Sequence, residues 1–390
     1  MTLYDIPNTW RWTTLENISD VIMGQSPSGD ETTSDSTYIP LIGGAADMGN
    51  LFPVITRYTK VPTKLSKKDD VIICVRATLG RPIYSDGVYC LGRGVAAIRS
   101  NVLIKEYIRY FMINNEQYLY ENATGSTFLQ ITSTKLKSMP VPLPPLDEQQ
   151  RIVDIIESLF AKLDKAKILA QNVIDKYELR RSAILHKAFT GELTNSNLDD
   201  WQRTKLGNVC NFIGGGTPSK KSPDYWNGNV SWASVKDVKG DYLYNTIDKI
   251  TEAGLKNSSS NLCEIGDLIL VTRMAPGKTI IAKIITAINQ DLKIIKSDLC
   301  IKFLHYFFEN IRDKIEMKSS GTTVKGIKID TLNEFEIFIP NIDEQKEIVR
   351  ILDSLLAKEQ RTKELAKQVL QKIDLIKKSI LARAFRGEFE

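Results

Sequence analysis

The sequence predicts an α+β chain in which two similar mixed α/β regions alternate with two long helices. Two self-matches carry that prediction. The stretch Asp147 to Thr194, DEQQRIVDIIESLFAKLDKAKILAQNVIDKYELRRSAILHKAFTGELT, recurs from Asp343 to Glu390 after a gap-free shift of 196 residues, with roughly 22 of 48 positions identical. So long a period marks a duplicated module rather than a short solenoid repeat. The segments ahead of these stretches match more weakly. Trp10, Leu15, Asn17, Ile18, Pro27 and Ser28 fall on Trp201, Leu206, Asn208, Val209, Pro218 and Ser219. Further on, DDVIICVRATLGR (69–81) falls on GDLILVTRMAPGK (266–278), and GSTFLQITSTKL (125–136) on GTTVKGIKIDTL (321–332). The expected order is a region at 1–143, a helix at 144–194, a region at 195–339 and a helix at 340–390.

Each element has a local reason. VIICVRA (71–77) and DLILVTR (267–273) are apolar, β-branched runs of strand length. Tyr107–Tyr120 and Phe303–Lys314 are aromatic-rich and read as helices, and Gly24–Thr37 reads as a mobile loop. In the first long stretch Ile152, Ile156, Leu159, Leu163, Ala166, Ala170, Val173 and Tyr177 alternate steps of four and three, the seam of a coiled coil, interrupted by Arg180. The second offers Ile348, Leu352, Leu355, Ala366, Val369, Ile373, Ile376 and Ile380, interrupted by Glu359 and Thr362. Asp147 and Asp343 stand where an N-cap is expected, and Gly191 and Gly387 where the helices stop. A helix this long with one apolar stripe needs a partner, and the other copy is the nearest. Parallel and antiparallel pairing both fit the spacing; antiparallel pairing would relate the halves by a pseudo-two-fold axis.

Composition narrows the function. There are 390 residues, 42% apolar and 25% charged, as in ordinary globular domains. No apolar run reaches membrane-span length, so no membrane partner is expected. The start, MTLYDIPNTWRW, lacks the pattern of a signal peptide, and five scattered cysteines without a CxxC suit a reducing, cytoplasmic setting. Two histidines, His186 and His305, argue against a zinc site or a histidine-based catalytic centre. The net charge of +5 is only mildly basic.

Catalytic motifs fail on inspection. Pro276-Gly277-Lys278-Thr279 suggests a phosphate loop, but Thr272 stands where its first glycine belongs. Asp224 and Asp237 outline a magnesium-holding nuclease cluster, with no counterpart expected in the first region. Neither a catalytic residue nor a metal ligand is expected, and no cofactor is expected in this chain. What remains is a recognition surface. Thr217, Ser219, Lys220 and Lys221 follow three glycines in a loop suited to phosphates, with Tyr225, Trp226 and Trp232 beyond. Arg76 and Arg273 stand at equivalent strand ends, followed by Thr78, Arg81 and Lys278; an arginine there can fork onto a guanine or hold a phosphate, or else support the loop. Ser26 and Ser28 match the hydroxyl loop, and Thr127, Gln130, Thr323, Lys325 and Lys328 lie just before the long helices.

These features together resemble the specificity subunit of type I restriction–modification systems. The resemblance covers essentially the whole chain. It rests on the region–helix–region–helix order, on the helix entries PPLDEQQRIVDIIE and PNIDEQKEIVRILD, on the exits AFTGEL and AFRGEF, and on the loop GGTPSK. The first region departs from that loop with GQSPS. The resemblance implies that each region is a target recognition domain reading half of a bipartite site in double-stranded DNA. It implies that the helices pack as an antiparallel coiled coil and act as a spacer. It implies two modification subunits bringing S-adenosylmethionine, and two restriction subunits bringing ATP and magnesium. Three other readings stay open: a related system lacking the restriction subunit, a structural coiled-coil adaptor, and a stand-alone magnesium-dependent nuclease.

Overall fold

A computed structural model describes residues 4–125, 128–321 and 324–389. The chain divides into two compact units, one of residues 1–171 with 367–390 and the other of 172–366. Each holds one globule and a piece of both long helices.

The globule of the first unit is built on the antiparallel sheet Asp20–Met23, Val95–Arg99, Val71–Cys74 and Gly80–Tyr84, in that spatial order. Val71 to Val75 are wholly buried, which explains an unbroken apolar run where a half-exposed strand would alternate. One face packs on the helix Lys105–Asn114 and the other on a smaller sheet containing Ile39–Ile42 and Cys90–Leu91. A two-stranded ribbon, Arg11–Thr14 with Pro140–Leu143, leads into the long helix. The second unit repeats the plan. Asn211–Gly214, Leu292–Lys296, Leu268–Val271, Thr279–Ala282 and Tyr242–Leu243 make its main sheet. Trp226–Ala233 and Thr286–Ile288 pair in its smaller one, and Gln202–Lys205 with Glu336–Ile339 forms the ribbon. The Gly24–Thr37 stretch is more ordered than its composition predicts, with a 3₁₀ turn at Gly29–Glu31 and a short strand at Thr32–Thr33.

The second long helix is continuous over Ile342–Ala384, 43 residues. The first is interrupted: Leu146–Asp175 and Tyr177–Ala188 meet at Lys176. In the first unit Lys377 pairs with Asp164 at 2.6 Å and Lys167 with Asp374 at 3.9 Å. In the second, Lys363 pairs with Glu178 at 3.7 Å and Arg180 with Glu359 at 2.6 Å. Numbers rise along one helix as they fall along the other, so the segments within each unit run antiparallel. Of the expected seam, Ile152, Ile156, Ala170, Ile348, Leu352 and Ile373 are buried. Leu159, Leu163, Val173, Leu355 and Ile380 are half-buried, while Leu356 is buried beside Leu355. Val369 is exposed. Two of the three residues that break the seam pattern, Arg180 and Glu359, meet each other, and Arg180 Nη2 also donates to the Val173 carbonyl at 2.9 Å, just ahead of the interruption.

Asp147 and Asp343 do not cap these helices. The helices begin one residue earlier, and Asn341 Oδ1 accepts from the Glu344 N–H at 3.0 Å to cap the second. The repeated glutamine after each Asp-Glu does the distinctive work. Gln149 is buried, accepts from the Ile104 N–H at 3.0 Å and donates to the carbonyls of Val102 and Pro144 at 3.1 and 3.2 Å. Gln345 is buried too, accepts from the Cys300 N–H at 2.9 Å and donates to the Pro340 carbonyl at 2.9 Å. In both units one amide side chain ties the long helix to the first turn of the globule's helix. Gly191 and Gly387 lie beyond the helix ends with φ of +78° and +72°, a region that favours glycine.

Candidate nucleic-acid interface

At the end of each central strand the chain takes the same path. Ala77 N–H donates to the Leu129 carbonyl at 2.8 Å, and Met274 N–H to the Lys325 carbonyl at 2.9 Å. Ile131 N–H reaches Val75 at 3.0 Å, and Ile327 N–H reaches Thr272 at 2.9 Å. The strand end is thereby fixed to the loop preceding the long helix. It brings Arg76 beside Gln130 and Arg273 beside Gly326 as backbone pairs. Ala77 and Met274 both sit at positive φ, +62° and +70°, a costly conformation for a residue with a Cβ. Its presence at the same place in both globules marks a loop held by its surroundings.

The arginines there differ. Arg273 lies 3.2 Å from the buried Asp291 carboxylate, so it supports the loop while half its side chain stays exposed. Arg76 is exposed and has no ion pair among the described residues. Arg81 donates to the carbonyls of Ala45 and Met48 at 3.2 and 3.3 Å, which makes it a brace for that turn. Thr78 is half-buried beside it. Lys278, Lys325 and Lys328 are exposed without ion pairs among the described residues. Thr127 and Thr323 lie outside the described residues.

In the second globule a cavity of about 590 Å³ opens between the glycine loop and the small sheet, lined by Thr217, Lys220, Trp226, Trp232, Lys236 and Gln290, among others. The glycines are not a phosphate cradle. The Gly216 N–H is taken by the Ile288 carbonyl at 2.9 Å. A Cβ on Gly215 would lie 2.2 Å from the Asn289 carbonyl oxygen, and one on Gly216 2.2 Å from Ser259 Oγ. These glycines let backbones cross. Trp232 is buried, donates to the Gly216 carbonyl at 3.0 Å and meets Trp226 edge-on at 5.2 Å, so it is a support with one edge in the cavity. Trp226 donates to the Ser219 carbonyl at 3.2 Å, and the half-buried Tyr225 accepts on its carbonyl from Thr251 N–H at 3.0 Å. Ser219, Lys220 and Lys221 are exposed. Burial pulls the Lys293 amine, close to Gly214, below the usual lysine range, and Asp291 offsets part of that. In the first globule Ser26 Oγ accepts from the Arg93 backbone N–H at 3.1 Å and from Arg93 Nε at 3.3 Å; Ser28 is exposed.

The nuclease outline dissolves. Asp237 is buried and spends its carboxylate on Ser234 N–H at 2.8 Å, Ser234 Oγ at 3.0 Å and Ile247 N–H at 2.8 Å. It also has a counterpart, contrary to expectation: Asp47 accepts from Gly43 and Gly44 N–H at 2.7 and 3.2 Å and pairs with Arg57 at 3.1 Å. Both aspartates tie a 3₁₀ turn. Among the described residues no group of three or more His, Cys, Asp or Glu could hold a metal ion. Pro276–Thr279 turns between the antiparallel strands Leu268–Val271 and Thr279–Ala282, with no helix following. Burial pushes the Cys74 and Cys210 thiols up to about 11, away from nucleophilic use. His305 is buried against Thr279 Oγ1 at 2.8 Å, and its Nε2, 3.6 Å from Asp241 Oδ1, holds the Asp241 carboxyl below its usual value. No helix of the described residues is long and apolar enough to cross a membrane.

The two equivalent interfaces fall in two equivalent sequence matches. The model for the type I restriction modification DNA specificity domain matches residues 7–171 and again 198–371. The chain belongs to this family. It is 27% identical to the EcoR124I/EcoR124II specificity subunit of Escherichia coli, over 66% of this chain and 65% of that protein. It is 29% identical to the MjaIX specificity subunit of Methanocaldococcus jannaschii, over 44% of this chain and 42% of that protein. It thus spans between about two-fifths and two-thirds of these relatives' lengths. The crystal structure of the HsdS subunit from Thermoanaerobacter tengcongensis superposes with a TM-score of 0.72 and 21% identity, covering 99% of both chains, and so shares the fold. The specificity-domain fold therefore accounts for both globules with their helices.

The sequence singled out the strand-end arginines and the lysines beside the helix entries as candidates. It did not single out Arg93, Gln290, Lys236 and Asp291, which the structure places beside those candidates. The signal for Arg93 and Gln290 was the hydroxyl each one faces, at positions 26 and 217.

Proposed function

We propose that this chain is the DNA-reading subunit of a type I restriction–modification system, each globule reading one half of a bipartite site. The observation that carries this is the recurrence of one loop frame in two globules, with different side chains at the exposed positions. A shared frame with unlike tips suits two readers of unlike sequences. The exposed cations at Arg76, Lys220, Lys221, Lys325 and Lys328 suit phosphate contact, which positions a protein on the duplex without specifying sequence. The long helices act as a spacer that fixes the unread gap, as dimer geometry does in other readers.

The chain performs no chemistry in this reading. Asp237 is spent on a turn, which leaves the nuclease alternative without its second carboxylate. Modification subunits, two per complex, supply S-adenosylmethionine and methylate adenine after base flipping. Two restriction subunits supply the ATP- and magnesium-dependent steps. Such a complex works in the cytoplasm, where the DNA is.

The test is a map of adenine methylation across the genome of a host expressing this chain with the modification subunit encoded beside it. One bipartite motif with a fixed gap is expected. An assembled, intact complex that leaves no such motif would overturn the reading in favour of a structural adaptor.

A further inference from the structure

The loop frames match most closely at a tight turn whose two sequences share no residue. In the first globule the turn is Gly92-Arg93-Gly94, and in the second Asn289-Gln290-Asp291. Gly92 N–H donates to the Ile42 carbonyl at 2.8 Å, and Asn289 N–H to the Ala233 carbonyl at 2.9 Å. Val95 N–H closes the first turn on the Gly92 carbonyl at 3.2 Å, and Leu292 N–H closes the second on Asn289 at 3.2 Å. The third turn residue accepts from the central strand in both: Val75 N–H to Gly94 and Thr272 N–H to Asp291, each 2.8 Å. The residue before the turn also matches, with Gln25 N–H on the Leu91 carbonyl at 2.8 Å and Gly216 N–H on Ile288 at 2.9 Å. Arg93 and Gln290 are therefore the same position in the two globules, and both are exposed.

Each also makes the same kind of side-chain contact. Arg93 Nε donates to Ser26 Oγ at 3.3 Å, and Gln290 Oε1 accepts from the Thr217 hydroxyl while Gln290 Nε2 stands 3.5 Å from Asp291 Oδ2, at the outer limit of a hydrogen bond. The neighbours in the turn are fixed by the fold. A Cβ on Gly94 would lie 2.2 Å from the Gly43 carbonyl oxygen, and Asn289 and Asp291 are buried. Only the middle residue is free to differ without disturbing the frame. The two side chains found there have the forked geometries that match base edges in the major groove: guanidinium for guanine O6 and N7, carboxamide for adenine N6 and N7.

We infer that Arg93 and Gln290 are specificity-determining residues at corresponding places of the two half-sites, Arg93 reading a guanine and Gln290 an adenine. This rests on the DNA-reading function proposed above. Ser26 and Thr217 act as positioning residues, each occupying one polar atom of the fork and fixing its plane.

The experiment is selection of bound sequences from randomised duplex DNA by the full-length chain, with its modification subunit, for the parent and for Arg93→Gln, Arg93→Lys and Gln290→Arg. Arg93→Gln is expected to replace one guanine by adenine in the first globule's half-site, with a discrimination change of roughly five- to 150-fold, and to leave the other half-site unchanged. Gln290→Arg is expected to do the converse in the other half-site. Arg93→Lys keeps the charge without the fork and is expected to weaken the guanine preference. Unchanged motifs in properly folded variants would overturn the inference. So would an even loss of affinity over all sequences with a shallower salt dependence, which marks a phosphate contact. A parent that enriches no motif would instead overturn the DNA-reading function itself.

Discussion

At the scale of single residues, the two buried glutamines decide how each helix is joined to its globule. Removing the Gln345 side chain leaves the buried Pro340 carbonyl and the half-buried Cys300 N–H without this partner. Each unsatisfied buried group costs about 1–3 kcal/mol. Gln345→Ala is therefore expected to lower the stability of the second unit by ~2–4 kcal/mol, read from denaturant unfolding of the full chain. Gln360→Ala, on the exposed face of the same helix, is expected to change it by no more than ~0.5 kcal/mol. Equal effects would refute the joint. The glutamines were legible as a repeat but not as a device. Local capping rules favoured the neighbouring aspartates, whereas the partners of Gln149 at Val102 and Ile104 lie 47 and 45 residues away. The glycines before Thr217 failed the same way: what crosses them is Ile288, Asn289 and Ser259, which only strand pairing brings near.

At the scale of elements, the apolar periodicity predicted the long helices, and the polar breaks in it were the informative part. Arg180 and Glu359 each look like a flaw when one helix is read alone. Together they form a 2.6 Å pair, with the side chains 34% and 23% exposed, and Arg180 also caps a carbonyl near the interruption at Lys176. Breaking a partly buried pair leaves one charge uncompensated, whereas replacing both partners restores an apolar seam. Arg180→Leu and Glu359→Leu singly are expected to cost about 1–2 kcal/mol each. The double substitution is expected to recover most of that loss in a double-mutant cycle. Strict additivity would show that the pair contributes nothing. The strand-end frame was half legible. Arg76 and Arg273 align at a shift of 197 residues, and the same shift sets Arg93 on Gln290, but Gly92-Arg93-Gly94 and Asn289-Gln290-Asp291 share no residue. Unlike residues, not loop length, hid the turn.

At the scale of the whole molecule, 52 basic against 47 acidic residues leave little general attraction for DNA. In the proposed function, affinity comes from where the unpaired cations stand and from engaging two half-sites with one chain. The long helices, in the proposed role of a spacer, set a quantised length. An α-helix advances about 1.5 Å and turns by roughly 100° per residue, so a single insertion rotates everything beyond it. A heptad inserted into both long helices at facing positions, beside Lys167 and Asp374, nearly preserves their packing face. It adds ~10 Å, or about three base pairs at 3.4 Å each. Methylation mapping of that variant is expected to show the same half-sites with a gap longer by about three base pairs; altered half-site sequences would sink the spacer role. The turn described above has a further consequence, for inheritance. Its backbone is held by bonds to Ile42, Val75, Ala233 and Thr272, none of which involves the side chain at the tip. Exposed substitutions of that kind usually change stability by less than ~0.5 kcal/mol. A lineage carrying this frame can exchange one target letter for another by a single codon change, without passing through an ancestor that fails to fold.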